Sequence, residues 1–241
     1  MTSTSVPVAV ASWREWAPGL RTLTLAAEPF DFTPGQFVNL ALDVEGERVS
    51  RSYSLSSAPG APLETFVVEV AGGALTPGLF ALAEGDSLWL DPRPQGHFTL
   101  ERVPEAEVLW LIATGTGLGP YVSMLRAGEA LERFAKVVVV HGVREASHLA
   151  YRDELAALDL SWIGLVSRED PPAGALGGRI TAALQSGALE EAAGVALDER
   201  AHALLCGNPG MIRDLRALLE ERGLRRNRPR KPGHFTSEKY W

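Results

Sequence analysis

The chain of 241 residues is 46% hydrophobic and 22% charged, which supplies core material for one large domain or two. A formal net charge of −7 argues against bulk binding of nucleic acid or anionic membrane, and the single cysteine, Cys206, excludes internal disulfides, a zinc ribbon and a four-cysteine iron–sulfur cluster. The opening "MTSTSVPVAVASW" lacks the basic and apolar regions of a signal peptide, and "VLWLIA" and "VVVV" fall far short of a bilayer span, so a soluble cytoplasmic protein is expected.

From residue 6 to about 100 the apolar runs are short. "VPVAVASW", "LRTLTLAA", "GQFVNLAL", "RSYSLSS", "ETFVVEV" and "DSLWL" read as six strands, several of them alternating, separated by "FTPG", "DVEGE", "APGAP" and "AEGD". This predicts a small antiparallel β-barrel or sandwich. One helix is expected around 77–83, with Thr76 as its cap and Pro77 in its first turn.

The pattern changes after "ERVPEAE" (101–107). "VLWLIAT" (108–114) is continuously apolar, as a strand buried on both faces should be, and a helix is expected from Pro120 to about Arg133. "KVVVVHGV", "SWIGLVS" and "AHALLCG" follow as strands, each leading to a helix: near 149–158, near 179–193, and from 209 to about 222. Strand and helix alternating at this spacing predict an α/β doubly wound parallel sheet. The expected division is a β-barrel domain over 1–101 and an α/β nucleotide-binding domain over 102–241.

Three motifs carry chemistry. In "ATGTGLGPYVSML" (113–125), Gly115, Gly117 and Gly119 follow the first α/β strand, where a phosphate can approach backbone N–H groups. The spacing is neither G-x-G-x-x-G nor a P-loop. "LLCGNPGMI" (204–212) lies beyond the carboxyl end of a later strand, where doubly wound sheets bind ligands, so Cys206 should face the same crevice. It reads as a wall for a ligand ring or as a small buried residue; no partnered His supports a nucleophile. "RSYS" (51–54) joins a cation, a stacking ring and two hydroxyls, with Arg51 and Tyr53 on one strand face and Ser52 and Ser54 on the other. That set suits a flavin, or simply an edge strand.

Residues 222–231, "RGLRRNRPRK", carry six positive charges and no negative one, which leaves −13 for the remainder. The segment is either a solvated loop or a docking patch for an acidic partner.

In this order and spacing, R-x-Y-S, G-T-G-x-x-P and C-G-x-P resemble the ferredoxin–NADP reductase superfamily over essentially the whole chain. The ending "LRRNRPRKPGHFTSEKYW" is similar to that of its bacterial ferredoxin/flavodoxin–NADP+ reductases. The resemblance implies FAD on the barrel and NADP(H) on the α/β domain, with hydride transfer between nicotinamide and flavin and one-electron steps to ferredoxin or flavodoxin. It implies that Arg51, Ser52, Tyr53 and Ser54 hold the flavin, that Phe66, Val67, Val68 and Glu69 line its ring, and that Ala74, Leu75 and Thr76 meet its pyrophosphate. Gly115, Gly117, Cys206 and Gly207 would bind NADP(H), with Cys206 flanking the nicotinamide, and Thr116 would contact the FAD near the flavin–nicotinamide junction. Val143 and Ser167 would also bind NADP(H), and Arg144, Arg168 and Arg179 would bind its 2′-phosphate, which bidentate arginines suit. Tyr53, Thr116, Cys206 and Glu238 would stand nearest the reacting atoms. Tyr240 and Trp241 would cover the FAD, the basic segment would dock the acidic carrier, and a monomer is expected.

Two rival readings stand beside this one. A flavin reductase of the same superfamily could feed an oxygenase or reduce free flavin or iron chelates. A nucleotide sensor without catalysis could be built on the same two domains.

Overall fold

The computed structural model describes residues 5–239. The chain forms two compact units. One holds residues up to Thr99 together with Gly119–Ala127; the other holds Leu100–Leu118 and the chain from Gly128 onward. No helix among the described residues is long and apolar enough to cross a membrane.

The first unit is built on six antiparallel strands: β1 (Val6–Ala17), β2 (Leu20–Ala26), β3 (Phe37–Val44), β4 (Glu47–Ser54), β5 (Leu63–Val68) and β6 (Ser87–Gln95). Their order is β4-β3-β6-β1-β2-β5. The sheet is barrel-like without full closure: no ladder joins its two edges among the described residues, which meet through the Leu55–Thr65 bridge, the Ser56 N–H on the Glu64 carbonyl and the Glu64 N–H on Ser57 Oγ. Inward-facing Val10, Leu23, Leu25, Val38, Leu40, Leu88 and Leu90 form its core, and α1 (Thr76–Phe80) adds Leu79.

Thr76 does not cap α1. Its hydroxyl accepts from the Val70 N–H at 2.9 Å, holding the end of β5's extension, and Leu75 occupies the cap position without a side-chain bond. Pro77 does stand in the first turn, where its missing N–H costs nothing.

The second unit carries β7 (Val108–Thr114), β8 (Lys136–Val143), β9 (Ser161–Val166), β10 (Leu176–Gly177), β11 (Ala201–Gly207) and β12 (Phe235–Lys239). The order is β10-β9-β8-β7-β11-β12, and every pairing is parallel. One sheet face buries Trp110, Ile112, Val138, Val140, Leu205 and Phe235 against Ile180, Leu184, Ile212 and Leu215. The strand order reverses direction between β7 and β11, which makes their carboxyl ends the switch point.

The helices are shorter than their sequence pattern predicts. The run expected to end near Arg133 splits into α2 (Gly119–Arg126) and α3 (Glu129–Arg133), because Gly128 adopts φ +85. Gly187, at φ +80, likewise separates α5 (Ile180–Gln185) from α6 (Ala188–Ala193). Between them in the chain, α4 (Arg152–Ala156) starts late because Tyr151 at its N-cap adopts φ +60. The last helix, α7 (Pro209–Glu221), is capped by the Asn208 side chain, which accepts from the Gly210 and Met211 N–H groups.

Helix α2 groups with the first unit although it follows β7 in the chain. Ser123 Oγ donates to the Ser57 carbonyl at 2.7 Å, and Arg126 bonds the Ser56 carbonyl and the Glu64 carboxylate. Tyr121 lies against Phe98 with ring centroids 6.0 Å apart.

Candidate functional site

The carboxyl edge of the parallel sheet gathers the glycine motif and the cysteine motif. After β7 the chain enters a 3-10 turn, Gly115–Leu118, and Gly115 adopts φ +54 to begin it. A Cβ on Gly117 would come within 2.8 Å of the Cys206 carbonyl oxygen and 2.9 Å of the Gly207 Cα. Gly207, at φ +124, in turn leaves room for Thr114, whose hydroxyl and backbone a Cβ there would strike. Thr114 Oγ1 then accepts from the Asn208 N–H at 2.8 Å. Of the residues that sequence reasoning placed in one crevice, the structure packs Gly117 against Cys206 and Gly207, with Gly115 opening the same turn.

The parallel register defines one row across this edge: Gly164, His141, Ala113, Cys206 and Glu238 stand in register on successive strands. In-register neighbours on a sheet share a face. Of the row, only Cys206 and Glu238 were singled out from sequence. His141 was missed because "VVVVHGV" reads as a buried apolar run. Among the described residues no group of three or more His, Cys, Asp or Glu side chains is placed to hold a metal ion.

Burial governs the electrostatics of the row. Burial first, and the Glu238 carboxylate second, push the Cys206 thiol well above its ordinary value, which keeps it in the neutral form. Burial pushes Glu238 up to about 7. Its Oε2 is enclosed without a hydrogen-bond partner among the described residues. Burial drives His141 down to about 4. Three groups that would ionise in water are thus held neutral or near neutrality beside the glycine turn.

Further along the same edge, Arg144 follows β8, Arg168 follows β9, and Arg179 caps α5 just after β10. The loops bearing the first two are laced together. The Ser167 N–H and hydroxyl both donate to the Val143 carbonyl, and the Arg168 N–H donates to the Arg144 carbonyl. The Glu169 carboxylate accepts from the Ala146 N–H and fixes the loop after Arg144. All three arginines are exposed, and among the described residues none forms an ion pair, so their guanidinium groups are open to an external anion.

In the first unit, β4 is an edge strand, so Arg51 is exposed while Tyr53 packs partly into the core and Ser54 is buried. Among the described residues Arg51 bonds only a main-chain carbonyl, that of Ser50 at 2.7 Å, and Ser52 donates to Asn39. Burial pushes the Tyr53 phenol up to about 12, which keeps it a neutral ring over the working pH range. On β5, Phe66 and Val67 are buried and Val68 half-buried, while Glu69 just beyond is exposed. Ala74 is exposed, Leu75 is buried, and the Thr76 hydroxyl is engaged by Val70. An exposed guanidinium, a neutral ring and a buried hydroxyl are chemically suited to FAD, as the three arginines are to a phosphate. Tyr240 and Trp241, expected over the flavin, lie outside the described residues.

The state of Glu238 makes stability pH-dependent. Its folded value is raised, so its contribution is intact below the ordinary 4.5 and is lost as pH rises through about 7. Glu238→Gln cannot ionise and should escape that loss. The gain over the parent should be on the order of 2–3 kcal/mol at pH 8 and small at pH 5, since each tenfold change in proton affinity on folding is worth about 1.4 kcal/mol. Urea unfolding of both proteins at the two pH values checks this; a difference independent of pH would refute it.

The family model of the oxidoreductase FAD-binding domain matches residues 20–100, and that of the oxidoreductase NAD-binding domain matches residues 111–217. A flavodoxin/ferredoxin–NADP reductase of Shigella flexneri is 43% identical over 241 residues, covering 96% of this chain and 97% of its own. A ferredoxin–NADP reductase of Pseudomonas aeruginosa is 34% identical, with 95% of each chain covered. The crystal structure of a ferredoxin NADP+ reductase from Neisseria gonorrhoeae with bound FAD and NADP superimposes with a TM-score of 0.93 at 28% identity, covering 99% of both chains. By the extent and level of these similarities, the chain belongs to the flavodoxin/ferredoxin–NADP reductase family.

Proposed function

We propose that this protein is an FAD-dependent oxidoreductase that moves electrons between NADP(H) and ferredoxin or flavodoxin. The observation that carries the reading is its near-full-length similarity, at 43% identity, to a flavodoxin/ferredoxin–NADP reductase. FAD, when bound, supplies the exchange between paired and single electrons.

The chain's own residues then have definable tasks. Arg51 would neutralise the FAD pyrophosphate, Tyr53 would stack on the isoalloxazine, and Ser52 and Ser54 would meet its polar edge. Phe66, Val67, Val68 and Glu69 would flank the ring. Ala74, Leu75 and Thr76 would contribute backbone N–H groups, since the Thr76 hydroxyl is already engaged by Val70. On the second unit, the Gly115–Gly117 backbone and Thr116 would receive the pyrophosphate and nicotinamide of NADP(H). Cys206 and Gly207 would wall the nicotinamide, and Glu238 would hold a proton beside it near neutral pH. Arg144, Arg168 and Arg179, with Val143 and Ser167 setting their loops, would bind the 2′-phosphate.

Purified protein should carry FAD and oxidise NADPH with an artificial acceptor. Arg51→Ala should weaken FAD binding about ten- to a hundredfold, from the roughly 1.5–3 kcal/mol of a charge-assisted hydrogen bond. Flavin retention on dilution reads this out, and an unchanged affinity would remove Arg51 from the site. For NADP(H) over NAD(H), Arg144→Ala or Arg179→Ala should raise KM for NADPH and leave NADH nearly unchanged. Equal losses for the two nucleotides would refute a 2′-phosphate role.

The carrier is drawn, in this reading, by the basic segment. Arg225, Arg226, Arg228, Arg230 and Lys231 are exposed, and Arg222 is committed to Glu190 at 3.0 Å. The segment follows α7, and Asn227 bonds the Arg102 carbonyl ahead of β7, so it belongs to the amino edge of the sheet. It would therefore act on an acidic carrier as a steering field. Carrier reduction should slow steeply between about 0.01 and 1 M salt, as the Debye length falls from ~30 to ~3 Å, while artificial-acceptor activity changes less. A salt-independent carrier rate would leave the segment a solvated loop.

A further inference from the structure

His141 is fully buried in the second unit, and none of the tasks above falls on it. Its Nε2 lies 3.0 Å from the Gly115 carbonyl oxygen. A carbonyl only accepts, so Nε2 bears the proton and Nδ1 is bare. Nδ1 is enclosed without a hydrogen-bond partner among the described residues, so a second proton there would be a buried, unpartnered N–H on a charged ring. The ring therefore stays a neutral, single-tautomer donor aimed at the first residue of the glycine turn.

That turn is held from both sides. Strand β8 supplies the imidazole to Gly115, and β11 supplies the backbone of Cys206 and Gly207 against Gly117. Gly115, at φ +54, is where the chain leaves β7, and its conformation sets the direction of the N–H groups that follow. The imidazole adds to that packing a hydrogen bond at the Gly115 carbonyl, and a glycine-rich turn that loses it gains access to neighbouring conformations.

We propose that His141 is a positioning residue for NADP(H), fixing the Gly115 carbonyl so that the Gly115–Gly117 backbone is already shaped for the dinucleotide. The inference rests on the cofactor reading given under the proposed function. A residue that merely filled the core would influence folding and not this one ligand.

The test compares His141→Leu, which removes the donor, with His141→Gln, whose amide can place an N–H where Nε2 stands. NADP+ binding to the FAD-loaded protein is measured by calorimetry, alongside FAD content, KM and kcat with an artificial acceptor. His141→Leu should weaken NADP+ and raise KM for NADPH about tenfold, the order expected for a carbonyl left without its donor. FAD content should be unchanged and kcat should fall less than KM rises. His141→Gln should return binding to within about threefold of the parent. Leu and Gln variants that both bind as the parent does, or are equally impaired, would overturn the proposal. Should the Leu variant fail to fold, His141→Asn, whose amide is too short to reach Gly115, takes its place against Gln with the same expectations. A parent protein that does not bind NADP+ at all would instead overturn the cofactor reading and this inference with it.

Discussion

The second unit is organised around a close approach of two backbones. Gly117 sits where any side chain would strike the carbonyl of Cys206, and Gly207 sits where one would strike Thr114. Each glycine is required by the other strand's end, so the turn after β7 and the end of β11 can meet only as a matched pair. Both strands are central in the sheet, and the strand order reverses between them. Doubly wound sheets bind ligands at such a switch point, and here the paired glycines bring main chain against main chain, so its floor is backbone.

A floor made of backbone fixes the character of what stands beside it. In the in-register row just inside the carboxyl edge, His141 and Cys206 are buried and Glu238 is half-buried. There the desolvation penalty outweighs the other influences on each group, and each is pushed toward its uncharged form. Charge is instead delivered further along the same edge, by arginines on exposed loops. A nicotinamide dinucleotide has this polarity, with an aromatic ring at one end and, in the phosphorylated form, a dianion at the other. Under the proposed function, the candidate site would run from dry and neutral to wet and cationic along one line of strand ends.

Much of this was legible in the sequence because its causes are local. Largely apolar runs gave β7, β8 and β11 to the residue, since a strand buried on both faces has few polar positions to blur its limits. The three motifs pointed to the family that the similarities show. What escaped depends on partners distant in the chain. The breaks at Gly128 and Gly187 are left-handed turns inside otherwise helical patterns. Helix α2 follows β7 in sequence but answers to Ser57, Ser56 and Glu64 of the first unit. Strand β12 has one large buried apolar residue, Phe235, and no alternation strong enough to declare it. His141 was invisible for the opposite reason: its neighbours so strongly predict a strand that the one polar residue passes as incidental.

The C-terminal segment shows why β12 forms without a strong strand signal. His202 donates from Nδ1 to the Gly233 carbonyl, and its Nε2 accepts from the Thr236 hydroxyl, each at 3.0 Å. Asn227 bonds the Arg102 carbonyl, and His234 Nδ1 accepts from the Arg225 N–H. These contacts span 31, 34, 125 and 9 residues, so most are beyond any local reading. The two His202 contacts are also uncharged, since burial holds that ring down at about 4. A basic segment anchored mainly by neutral hydrogen bonds keeps its shape when salt screens its charges. Fold and field are thereby separated: the clamp sets where the arginines stand, and the exposed guanidinium groups remain available to act at a distance.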